Sequence, residues 1–153
     1  MALVSAAFLL LSSLQANSGA AFAGLAGELA AIVDARTEQA IAFPAQTADR
    51  LDADDELMIG LTEFSGQAMG LSLQIEVSGG PEDLRCIYRG MAQDALLHRN
   101  ALYDAEVRAD RLSVYAELDY LLGHAREIGP IADQDDIEPF TGVDPGCPRG
   151  PLT

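Results

Sequence analysis

Residues 78–128 read SGGPEDLRCIYRGMAQDALLHRNALYDAEVRADRLSVYAELDYLLGHAREI, and this stretch decides the fold class. No proline follows Pro81 within it, and apolar residues recur at helical spacing throughout. Pro81 stands where a first helical residue needs no backbone donor. Glu82 and Asp83 follow in the first turn, where exposed N–H groups and the helix dipole favour negative charge. Gly79 and Gly80 supply the left-handed conformation that closes a preceding helix. The apolar stripe runs Leu84, Ile87, Tyr88, Met91, Ala95, His98, Leu102 and Ala105, then resumes as Val114, Leu118, Leu121, Ala125 and Ile128. Between the two sets the phase slips by about two residues, roughly 200° of rotation. A straight helix over the whole stretch would be about 70 Å long, so the spacing predicts a break near Arg108–Arg111 and two antiparallel helices.

Upstream, Leu57, Leu61, Phe64, Ala68, Leu71 and Ile75 make a second heptad-like stripe. Residues 71–77 also alternate as a half-buried strand would, and Gly60, Gly66 and Gly70 each weaken a helix by about 1 kcal/mol. A lone strand would have nothing to pair with, so helix is expected, capped by Asp52 or Asp54. Leu25, Leu29, Ile32, Val33 and Ala40 mark another helix, which should stop by Phe43 because Pro44 disfavours helical geometry before it. The expected fold is all-α: an antiparallel bundle of three to four helices, followed by a Pro/Gly-rich C-terminal tail over residues 131–153.

With 153 residues the chain suits one domain of modest core. Aromatics are 6% and tryptophan is absent, which points to an aliphatic, alanine-rich interior and favours helices over a sheet sandwich. Twenty-four acidic residues face nine basic ones, all arginine, for a net charge of −15. Such a charge repels phosphate backbones and anionic lipid head groups, so nucleic acid is not an expected partner.

Residues 2–14 form an apolar run of signal-peptide length, too short to span a bilayer comfortably, followed by small residues. Ala21-Phe22-Ala23 matches an A-x-A cleavage site, and Ser18-Gly19-Ala20 competes with it. A basic n-region is missing, and a buried N-terminal helix is the alternative. The expected division is a cleaved signal over 1–23, a helical domain over 24–130 and the tail beyond, with no membrane anchor left after cleavage and a periplasmic or secreted location. Cys86 and Cys147 are the only cysteines. In an oxidising compartment they would pair and tether the tail; in the cytosol they would be two free thiols.

Candidate chemistry is sparse. Asp94 and His98 are four residues apart on one helix face and are the nameable ligand contacts, with His124 the only other histidine. No H-E-x-x-H or Glu-x-x-His pair accompanies them; a partly buried His98 bonded to Asp94 or backbone is the plainer expectation. The acidic group Asp133, Asp135, Asp136 and Glu138 lacks the glycine and distal glutamate of a calcium loop and reads as a solvated segment. No nucleophile–base arrangement, phosphate-cradling loop or haem attachment is visible, so no catalytic residue, metal or cofactor is assigned. The expected function is a non-enzymatic exported protein that acts by binding another protein of the cell envelope. A metal or small-ligand carrier using the bundle interior, through Asp94 and His98, is the alternative.

Overall fold

The computed structural model describes residues 18–48, 51–134 and Cys147. Four helices pack against one another: α1 (Gly19–Ala42), α2 (Glu56–Ser78), α3 (Glu82–Asp104) and α4 (Arg108–Ile128), with a 3-10 turn at Gly129–Asp133. Each runs antiparallel to its neighbours in the order α1–α2–α3–α4, and α4 closes the ring against α1. Among the described residues there is no strand, only an isolated bridge between Thr47 and Val107. The expected all-α bundle is the fold.

The local reasons are as the chain's chemistry dictates. Residues 71–77 are helical, and the stripe Leu57, Leu61, Phe64, Ala68, Leu71 and Ile75 is buried throughout. Asp55, not Asp52 or Asp54, caps α2, its carboxylate accepting from the Leu57 and Met58 N–H groups. The helix ends at Gly79, whose φ of 71° is the left-handed conformation. The break between α3 and α4 falls at residues 105–107, just before the expected position, where Ala105 and Val107 are extended. The Val107 N–H is caught by the Asp110 carboxylate at 3.3 Å, which starts α4 without glycine or proline.

At this end of the bundle two loops brace each other. Ala48 N–H donates to the Glu106 carbonyl, Arg108 N–H to that of Gln46, and Ala109 N–H to that of Pro44, at 3.0, 3.1 and 3.1 Å. At the opposite end the fold extends past the expected boundaries. Residues 131–133 continue as the 3-10 turn rather than as tail, and α1 begins at Gly19. Phe22 is wholly buried, with its ring 4.6 Å from that of Phe64 and 5.6 Å, edge-on, from Tyr88. Residues 1–17, most of the expected signal, lie outside the described residues, as do 135–146 and 148–153 of the tail.

Cys86 and Cys147 are disulfide-bonded, with Cα atoms 5.2 Å apart. No helix is long and apolar enough to cross a membrane among the described residues.

Candidate functional site

α3 and α4 turn most of their apolar stripes to the core, but Ile87 of the α3 stripe stays outside it, at a groove between the two helices on the outer side. It has a volume of about 650 Å³, and Ile87, Met91, Tyr120 and Leu121 supply its apolar surface. Asp94, His98, Glu117 and His124 supply the polar surface, and Cys86 of the disulfide stands at the same groove. Both residues singled out in the sequence, Asp94 and His98, therefore line one concavity, and the disulfide adjoins it.

Their mutual geometry differs from the expectation. His98 is turned across the groove, with Nδ1 3.2 Å from Glu117 Oε2 on α4. Glu117, rather than Asp94, is its partner. A four-residue spacing in sequence could suggest only the same-helix neighbour, since the facing residue depends on how α3 and α4 are set against each other. Farther along, the His124 ring lies 4.3 Å from that of Tyr120, tilted by 40°. Among the described residues no three His, Cys, Asp or Glu side chains gather as metal donors.

Two large side chains of the groove wall stay open to solvent. Ile87 is 45% exposed and Tyr120 69% exposed. The charge beside them is acidic, from Asp94 and Glu117, with the imidazoles able to add positive charge only when protonated. Chemically the groove offers an apolar bed with carboxylate acceptors at its edge and no arranged nucleophile. It can hold a side chain or a short segment that combines apolar surface with a basic group.

A second cavity of about 570 Å³ opens between α1, α4 and the start of α2. Three of the nine basic residues, Arg36, Arg108 and Arg111, line it together with Tyr115 and Asp55. Arg36 spends its guanidinium on Asp55 and, at 3.5 Å, on Glu56. Burial pushes the Arg36 guanidinium down, but the hydrogen bonds and charge of Asp55, with smaller help from Tyr115 and Glu56, hold it above its ordinary value. Sequence inspection missed this grouping because its members come from both ends of the chain and share no spacing.

Set beside known proteins, the chain matches no family model, no curated protein and no solved structure.

Proposed function

We propose that this chain is an exported, non-enzymatic helical protein of the cell envelope that binds another protein there through the α3–α4 groove. The occupant is a partner segment carrying apolar side chains and a basic residue. The observation that carries this is the pairing, in one concavity, of exposed Ile87 and Tyr120 with the carboxylates of Asp94 and Glu117. Exposed aromatic surface gives a partner large contact area, and acidic groups beside it select a cationic match and discourage an anionic one. Export is supported by the apolar run at 2–14 and by the Cys86–Cys147 bond, since such bonds persist in oxidising compartments.

A photoreactive amino acid placed at Tyr120 in the living cell tests this. One discrete protein adduct is expected, lost when Glu117→Arg is added and absent when the probe is moved to Val77 on α2. Equal labelling from both positions, or labelling indifferent to Glu117→Arg, would refute the groove as the binding surface.

The groove volume also lies within the range of small-molecule sites, about 300–1,000 Å³, which favours a small-ligand carrier as the second reading. Native mass spectrometry of chain purified from the envelope separates the two. A bound small molecule displaced by His98→Phe would establish the carrier and remove the protein-partner proposal.

A further inference from the structure

The start of α1 is built as a seat. The Asp133 carboxylate reaches back from the 3-10 turn and accepts from Gly19 N at 2.6 Å and from Ala20 N at 2.7 Å. Gly19 is buried, and a Cβ there would collide with the Gly129 carbonyl oxygen; a Cβ on Gly129 would in turn press on Gly19 O and Ala23 Cβ, at 2.6 and 2.9 Å. Three residues on, Phe22 fills the space between Phe64 and Tyr88. Gly19 and Phe22 are thus built into the packed end of the bundle, and the export proposed above calls for a cut close by.

The two cleavage sites legible from the sequence fare differently against this geometry. A cut after Ala23 would discard Phe22 from the core. A cut after Ala20 would remove Gly19 and both N–H groups that Asp133 holds. The small-x-small requirement of an export peptidase is also met one step upstream, by Ala16 and Ser18 flanking Asn17. Cutting there forgoes only what Ser18 supplies, its Oγ accepting from Ala21 N and its carbonyl accepting from Phe22 N, each at 3.0 Å. It leaves an ammonium on Gly19 nitrogen, facing Asp133 at a distance suited to a charge-assisted hydrogen bond.

We infer that processing occurs between Ser18 and Gly19 and that the mature protein begins at Gly19, its α-ammonium bound by Asp133. In the cut, water adds across the Ser18–Gly19 peptide bond: the C–N bond breaks, the Ser18 carbonyl carbon takes the oxygen and leaves as a carboxylate, and Gly19 nitrogen is protonated to the ammonium. The catalyst is the host's membrane-bound signal peptidase. The inference rests on the export proposed above, and its site is new to it.

N-terminal sequencing and intact mass of the full-length gene product, purified from the envelope of an exporting bacterium, decide it. A chain beginning at Gly19 is the expected result. A chain beginning at Asn17, Ser18, Ala21 or Gly24 overturns the site while leaving export standing; a chain retaining Met1 overturns export and the site with it. Ser18→Leu, which places a large residue where the peptidase needs a small one, should abolish the Gly19 start. Processing at Gly19 undiminished in that variant would also overturn the assignment.

Discussion

Arg36 holds Asp55 by two parallel hydrogen bonds, Nη1 to Oδ1 at 2.9 Å and Nη2 to Oδ2 at 3.0 Å. The same carboxylate accepts from the Leu57 N–H at 3.0 Å and, more weakly, from that of Met58 at 3.4 Å. One side chain thereby starts α2 and fixes it to α1, with less than a fifth of either side chain exposed.

Asp55→Ala removes both functions and should cost about 2 kcal/mol, combining a lost helix cap with a lost, largely shielded ion pair. Asp55→Asn keeps a capping acceptor and should cost about half as much. Urea unfolding of the three proteins measures the difference. Equal losses in both variants would mean that the cap contributes nothing.

Tyr88 donates its hydroxyl to the Ile128 carbonyl at 2.8 Å and lies 3.3 Å from that of Gly129, joining α3 to the end of α4. Burial, and secondarily the charge of Asp133, push this hydroxyl up to about 12 from an ordinary 10.0, against a lowering by a backbone hydrogen bond at Ala132. The folded chain therefore holds the proton more tightly than the unfolded chain. Its contribution is complete below the unfolded value of 10.0 and disappears as pH rises through about 12. Thermal unfolding as a function of pH should show that alkaline loss, and Tyr88→Phe should remove this component of it. An identical alkaline profile in the variant would contradict the assignment.

Gly60 and Gly66 lie on the same helix and should respond oppositely to alanine. A Cβ at Gly60 would collide with the Leu29 side chain, which is itself buried, whereas nothing lies within 4 Å of a Cβ at Gly66. Gly66→Ala should stabilise by about 1 kcal/mol through helix propensity. Gly60→Ala gains the same propensity but overpacks the core at a cost of about 1–3 kcal/mol, and should come out less stable than the parent. Midpoints of chemical denaturation report both signs.

Loss of the Cys86–Cys147 bond should lower stability by up to about 4 kcal/mol, the chain-entropy value for a 61-residue separation. Unfolding with and without reductant measures it, and a Cys86→Ala, Cys147→Ala variant should match the reduced protein. A midpoint unmoved by reduction would show that the cross-link restrains nothing the fold does not already restrain.

Much of this fold was legible because the heptad stripes are continuous. The six apolar positions from Leu57 to Ile75 are all buried, and helical pattern prevailed over the strand-like alternation of 71–77 because every alternate-facing residue had no sheet to join. The phase slip after Ala105 marked a real break, although glycine and proline are absent there and Asp110 makes the turn by capping. The packing of Phe22 and the bonding of Asp133 were hidden for one reason: local context assigns the first to a signal and the second to a solvated acidic loop. Contact between α1 and the end of α4 gives each a different role, and no residue within a few positions of either reveals it.

The groove shows the same division. Helical periodicity put Asp94 and His98 on one face of α3, and the cysteine count offered a single cross-link, so these depended on spacing and composition alone. That His98 faces Glu117, that Tyr120 and Ile87 remain outside the core, and that three arginines meet beside Asp55 were decided by tertiary structure. Periodicity fixes which side of each helix is apolar, because that depends on residues three or four apart. It leaves open how far each helix slides and turns against the next, because that is set by side chains fitting between helices distant in sequence.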